Sequence, residues 1–187
     1  MSRKITSQEN PDAIALLAED HRDVLEIFSQ FEKLKSHREQ DQDAKQLLVE
    51  RACTALSIHS QIEEELFYPA LRDAFVDNEL LDEAEVEHAA CTQLITELEA
   101  MHPEDELYDA KFLVLGEYVR HHVAEEQEKI FPKAKKTKLN LSLLGGEMRQ
   151  RKEELYGEFA IPDEEEQVVL GEIKPRRNKQ PIRGPEL

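Results

Sequence analysis

The feature that most constrains how this chain can fold is a motif that occurs twice. Residues His59–Pro69 read HSQIEEELFYP, and residues His122–Pro132 read HVAEEQEKIFP. Each copy places a glutamate four residues after its histidine, Glu63 after His59 and Glu126 after His122. Each then runs into an aromatic residue and a proline, the proline ten residues past the histidine. On an α-helix, positions four apart share a face, one turn above the other. Each copy therefore aims an imidazole and a carboxylate at one point, and two copies suggest two half-sites around a common centre.

The surrounding sequence extends this pattern to four helices. Apolar residues recur at alternating steps of three and four, the rhythm of bundle helices. A first helix to about Ser36, opened by Asn10 as N-cap and Pro11 at the first helical position, carries the seam Ile14, Leu17, His21, Val24, Phe28 and Phe31. A second, about Ala44 to Tyr68, carries Leu48, Ala52, Leu56, His59, Glu63 and Leu66. A third, about Glu79 to Met101, carries Leu81, Ala84, His88, Cys91, Ile95 and Leu98. A fourth, about Glu104 to Phe131, carries Phe112, Leu115, Val119, His122, Glu126 and Ile130. Pro69 and Pro132 are expected to kink or end their helices just past the glutamates, and the basic run from Lys133 to Lys138 suits a helix C-terminus. Short connections make this an all-α, up-down-up-down four-helix bundle. Its two αα-hairpins each contribute a lone histidine and then a His-x-x-x-Glu pair.

The expected organisation is a flexible N-terminus over 1–10, the bundle over 11–136, and a C-terminal extension over 137–187. The extension should hold one short helix between Leu141 and Phe159, interrupted at Gly145-Gly146, and then a disordered tail. That tail, acidic at Asp163–Glu166 and basic at Lys174–Arg183, could dock a protein partner, although a solvated tail is the plainer reading.

Composition supports helix and limits the partners. Glycine and aromatic residues are scarce and Glu, Leu, Ala and Lys are abundant. A net charge of −17 should repel nucleic acid and anionic membranes. The start lacks the apolar run of a signal peptide, and no stretch approaches the ~18 apolar residues of a membrane helix. Cys53 and Cys91 have no CxxC spacing and sit at apolar helical positions, which suggests a reducing compartment. A cytoplasmic protein is the expectation.

Chemistry concentrates in His21, His59, Glu63, His88, His122 and Glu126. Taken alone, any of these histidines reads as a hydrogen-bonded core residue. Glutamate, however, is almost never fully buried unless paired or bound to metal. Six polar seam positions pointing from four helices at one level are better explained by an ion than by a requirement for register. Imidazole with carboxylate suits iron, manganese or zinc. Four imidazoles and two carboxylates exceed what one tetrahedral zinc needs. They fit two metals, with each carboxylate able to bridge, an oxide or hydroxide offsetting part of the charge, and open positions for a small ligand such as oxygen. His121 points about 100° away from His122 around its helix. Glu64, Glu65 and Glu125 fall off the centre, either solvated or supporting the ligands. His37 and His102 fall in connections and should be exposed. Tyr68 and Tyr118 are expected mainly to pack, with a hydrogen bond to the centre as the other option.

These residues resemble the hemerythrin family, specifically the hemerythrin-like HHE cation-binding domains, over about residues 11–135. The resemblance rests on Asp20-His21, His59-SQI-Glu63 with Phe67-Tyr68-Pro69, Glu87-His88, and His121-His122-VAE-Glu126 with Ile130-Phe131-Pro132. It implies a non-haem centre of two iron ions, oxo- or hydroxo-bridged. His21 and His59 would bind one iron, His88 and His122 the other, and Glu63 and Glu126 would bridge. Oxygen-carrying members have a second histidine one turn from the third-helix ligand, where this chain has Ala84 and Thr92. They also usually end the fourth-helix pair with aspartate after four intervening residues, where this chain has Glu126 after three. Both departures point away from reversible oxygen carriage. They favour binding or sensing of O2, NO, peroxide or iron, with a di-iron oxidase or peroxide-consuming enzyme as the alternative. Ferritin-like di-iron proteins use Glu-x-x-His, the reverse order, which the seams lack.

Overall fold

The computed structural model describes residues 11–35 and 42–159. It is all-helical, with no strand among the described residues. Helix α1 spans Ala13–Lys35, α2 Gln42–Ile62, α3 Tyr68–Ala74, α4 Glu79–Glu99, α5 Tyr108–Glu125, α6 Phe131–Ala134 and α7 Leu141–Glu158. The segments Glu63–Phe67 and Glu126–Ile130 are single π-helical turns that join α2 to α3 and α5 to α6. In cyclic order α1 packs on α2, α2 on α4, α4 on α5 and α5 on α1, which is the expected four-helix bundle; α7 lies against α1 and α2.

The helix starts follow local chemistry. Asp12, rather than Asn10, caps α1: its Oδ1 accepts from Ala15 N–H at 2.8 Å, while Asn10, the residue expected in that role, lies outside the described residues. Asp77 Oδ1 accepts from Glu79 N–H at 3.1 Å where α4 begins. Helix α5 starts four residues later than the sequence suggests. The carboxylate of Asp105 accepts from His102 N–H at 2.8 Å and holds a turn there, and Leu107 then takes a left-handed φ of 73° before the helix begins.

The two prolines, expected to kink or end their helices, sit inside short helical continuations, and the one holding Pro132 stops at Ala134. Pro69 and Pro132 sit in the first turns of α3 and α6, each just after a π turn. In those turns Tyr68 N–H reaches back to Glu63 O, and Phe131 N–H to Glu126 O. A proline ring collides with the carbonyl four residues back in a tight helix. Widening the preceding turn relieves that collision and keeps the chain helical. The wider turn also shifts which side chains face inward within and after it: Leu66 is only half-buried, and Phe67, Tyr68 and Leu71 carry the buried face instead.

The apolar interior is two clusters separated by a polar level. Ile14, Leu17, Ile62, Phe67, Leu81 and Phe131 belong to the cluster on one side. Val24, Phe28, Leu56, Ile95, Phe112 and Val119 belong to the other. In the second cluster Lys45, 1% exposed, reaches Asp109 through both carboxylate oxygens at 3.0 and 2.9 Å, an ion pair tying α2 to α5.

The expected break at Gly145-Gly146 does not occur, and α7 runs through both glycines. Asn140 caps it by accepting from Leu143 N–H at 3.1 Å. A Cβ on Gly145 would stand 2.6 Å from Ala13 N and 2.6 Å from Asp12 C, so glycine is what lets α7 press onto the start of α1. Met148 and Leu155 complete the buried face of α7. Arg151 pairs with Glu65 at 2.7 Å and Lys152 pairs with Asp20. The expected flexible N-terminus, the connection holding His37, and the tail from Ala160 onward lie outside the described residues. No helix among the described residues is long and apolar enough to cross a membrane.

Candidate metal centre

All six seam residues singled out for chemistry meet at the level between the two apolar clusters. His21 is 1% exposed, His88 4%, His59 and His122 6% each, and Glu63 and Glu126 0%. The imidazoles face one another in pairs, His21 Nε2 3.0 Å from His59 Nε2 and His88 Nε2 3.2 Å from His122 Nε2. The first pair lies within α1–α2 and the second within α4–α5, as the hairpin reading requires.

The carboxylates link the two pairs. Glu63 Oε2 lies 3.2 Å from His59 Nε2 and 3.4 Å from His88 Nε2. Glu126 Oε2 lies 3.1 Å from His21 Nε2 and 3.7 Å from His122 Nε2. Each motif glutamate thus reaches the histidine of its own motif and the lone histidine of the other hairpin. The residues before the prolines make the same exchange. Phe131 stacks on His21 with centroids 5.8 Å apart and planes 6° apart, and Tyr68 packs on His88 at 5.6 Å. The two copies differ in one useful respect: Tyr68 carries a hydroxyl, which donates to Glu126 Oε1 at 3.1 Å.

The donor set fits a cation and is poorly satisfied by protein alone. Both oxygens of Glu63, Oε2 of Glu126 and Nδ1 of His21 are buried without a hydrogen-bond partner. Burial, the Glu126 charge and contact with Glu126 push the Glu63 carboxyl well above its usual range. Burial also pushes Glu126 up, but the His21 imidazole against it and the charges of His122, His21 and His59 outweigh that and hold it at about 2. His59 is driven down to about 4, chiefly by burial. Two adjacent buried carboxyl groups cannot both ionise cheaply, and a cation between them would remove that conflict.

Three of the four imidazoles are held from behind. Glu64 Oε1 lies 2.9 Å from His88 Nδ1, Glu87 Oε2 lies 2.9 Å from His122 Nδ1, and Asp20 Oδ2 lies 3.5 Å from His59 Nδ1. A carboxylate on Nδ1 fixes the ring and leaves Nε2 free to coordinate. Of the two roles open to Glu64 from the sequence, solvated or supporting a ligand, the structure has the second, whereas this role for Asp20 and Glu87 was not among the expectations. The signal was present: each lone histidine is preceded by an acid, and that acid serves the motif histidine across the hairpin, Asp20 for His59 and Glu87 for His122. Glu65 turns outward to Arg151, Glu125 pairs with Lys129, and His121 and His102 are exposed. Tyr118 is 47% exposed and neither packs in the core nor reaches the centre. Ala84 is buried and Thr92 exposed, so neither adds a ligand.

On the side away from the glutamates, a cavity of about 20 Å³ touches all four imidazoles; Val24, Leu56, Cys91 and Val119 are among its other lining residues. It has room for a water-sized ligand.

No curated protein matches the chain. A solved structure of a hemerythrin HHE cation binding domain-containing protein from Mycobacterium kansasii is similar in fold, with a TM-score of 0.64 at 23% identity, covering 79% of this chain and 89% of that one. The family model described as the hemerythrin HHE cation binding domain matches residues 12–134, a span that holds all six inward-facing residues, and on this match the chain belongs to the hemerythrin HHE cation-binding family.

Proposed function

We propose that the chain is a non-haem di-iron binding protein in which His21 and His59 hold one iron, His88 and His122 hold the other, and Glu63 and Glu126 bridge them. It would work in the cytoplasm, binding or sensing O2, NO, peroxide or iron. The observation that carries this reading is the straddling of the two histidine pairs by both glutamates, which a single-ion site would not need. Two iron ions would supply Lewis acidity and one-electron redox chemistry at that point. The protein's own part is fixed geometry: carboxylates behind three imidazoles, a hydroxyl on Glu126, and a small ligand side walled in part by Val24, Leu56 and Val119. The cavity favours a diatomic or peroxide over any organic substrate on size alone.

One observation favours the alternative, a di-iron oxidase or peroxide-consuming enzyme. The Tyr68 hydroxyl, besides its bond to Glu126, lies 3.5 Å from His88 Nε2 and could deliver a proton at the centre. Burial, Glu63 and Glu126 raise the phenol well above its usual range, so it stays protonated and keeps its hydrogen bond to Glu126, and proton delivery would need a metal at the centre to lower it.

Metal analysis with an optical spectrum on protein purified in air tests the first point. Two irons per chain with near-ultraviolet oxo-to-iron charge-transfer bands are expected. Steady-state consumption of peroxide or oxygen then separates enzyme from sensor. Colourless protein that takes up no iron after anaerobic reconstitution would overturn the di-iron reading.

A further inference from the structure

We infer that the two halves of the centre are inequivalent: the His88/His122 half is the tight one, the His21/His59 half is the exchangeable one, and the residue that makes the difference is Gln127. The inference rests on the dinuclear reading above.

Aligning the two motifs by their histidines sets Glu63 opposite Glu126, Tyr68 opposite Phe131 and Pro69 opposite Pro132. It also sets Glu64 opposite Gln127. Glu64 is the residue whose carboxylate lies 2.9 Å from Nδ1 of the other hairpin's lone histidine, His88. By the symmetry that Glu63, Glu126, Tyr68 and Phe131 all obey, residue 127 should do the same for His21. It is a glutamine, exposed, and His21 Nδ1 is buried with no hydrogen-bond partner.

The supporting carboxylates are therefore unequally shared. Both imidazoles of the His88/His122 half have one, each at 2.9 Å. The His21/His59 half has one for two rings, at 3.5 Å, and that carboxylate, Asp20, also pairs with Lys152 of α7. Lys152 draws on the same negative charge that would make His59 a stronger donor. A carboxylate behind a ligating imidazole raises its basicity and fixes its orientation, and losing one typically costs 10- to 100-fold in metal affinity. The half with fewer and longer supports binds its ion more weakly, fills second and empties first.

Substituting this one position in the full-length protein is a direct test. Cobalt(II) added anaerobically to metal-free protein reports each half by its visible spectrum. Two resolved steps are expected in the parent, and His21→Ala should remove the weaker one. Gln127→Glu should tighten the weaker step by about 10- to 100-fold and bring the two steps together, while Glu64→Gln should weaken the stronger step by a similar factor. The melting temperature of the metal-free protein should move little in either variant, since both positions are exposed, so an affinity change without a stability change marks a positioning role. Two equal steps in the parent, or a Gln127→Glu protein whose steps are unmoved, would overturn the inference while leaving the dinuclear site standing. Failure to bind any cobalt would instead refute the metal site itself.

Discussion

Replacing Glu63 by glutamine should stabilise the metal-free protein while cutting its capacity for metal by about half or more. Glu63 is 0% exposed, and neither of its carboxylate oxygens has a hydrogen-bond partner. Burial and the neighbouring Glu126 push its carboxyl well above the ordinary value of 4.5, so the folded metal-free protein keeps it protonated where the unfolded chain would release the proton. Between those two values the folded state binds more protons than the unfolded state, so this group's contribution to stability falls as pH rises above 4.5. Each pH unit costs at most about 1.4 kcal/mol. At pH 7 the span above 4.5 is 2.5 units, which sets a ceiling of about 3 kcal/mol. Glutamine has nearly the same shape and no proton to hold, so it avoids this cost. For a chain of this size about 1 kcal/mol moves the melting temperature by about 2–4 °C, so Glu63→Gln should melt up to about 6–12 °C higher than the parent at pH 7 in chelator. Thermal unfolding followed by far-ultraviolet circular dichroism, repeated from pH 4.5 to 7.5, measures it. The gain should close as pH approaches 4.5. With iron present the order should reverse, because bound metal stabilises the parent more than the variant, by up to about 4 kcal/mol at a thousandfold excess over the parent's Kd. A variant less stable than the parent at pH 7 without metal, or a gap that ignores pH, would refute the view of Glu63 as an uncompensated buried acid waiting for a cation.

Two further predictions separate local contacts from general effects. Gly145→Ala and Gly146→Ala make the same gain in helix propensity, up to about 1 kcal/mol, but a Cβ at 145 meets backbone at 2.6 Å whereas one at 146 meets nothing within 4 Å. Gly146→Ala should therefore raise the denaturant midpoint and Gly145→Ala lower it, with an overpacking cost of about 1–3 kcal/mol between them; equal shifts would mean α7 does not press on α1. His59→Ala and Glu126→Ala should each cut iron content by about half or more, because ligands of a shared centre are not replaceable by the groups behind them, whereas the exposed His121→Ala should keep full occupancy; elemental analysis of the three distinguishes the inward donors from an exposed histidine beside them.

The sequence by itself determined the bundle and the inward ring of donors. Apolar periodicity selects one face of each helix, and that face passes through His21, His59, Glu63, His88, His122 and Glu126; burying the face brings them to one level whatever the fine geometry. What supports them was decided only in three dimensions. Asp20 and Glu87 look like surface acids beside a seam, and which histidine each one serves depends on how the rings of the neighbouring helix are presented. The π turns were hidden because Pro69 and Pro132 read equally well as stops; they became part of continuous helices because a widened turn removes the clash of the ring and the bundle rewards burying Phe67, Tyr68, Ile130 and Phe131. Leu66 lost its place on the buried face for the same reason. Gly145-Gly146 read as a break, since glycine weakens an isolated helix, yet its lack of a side chain is what allows α7 to approach α1 and bring Lys152 to Asp20. Periodicity records which face is buried. Which atoms meet across that face is set by the packing of helices far apart in the chain, and a one-residue change in a turn is enough to alter it.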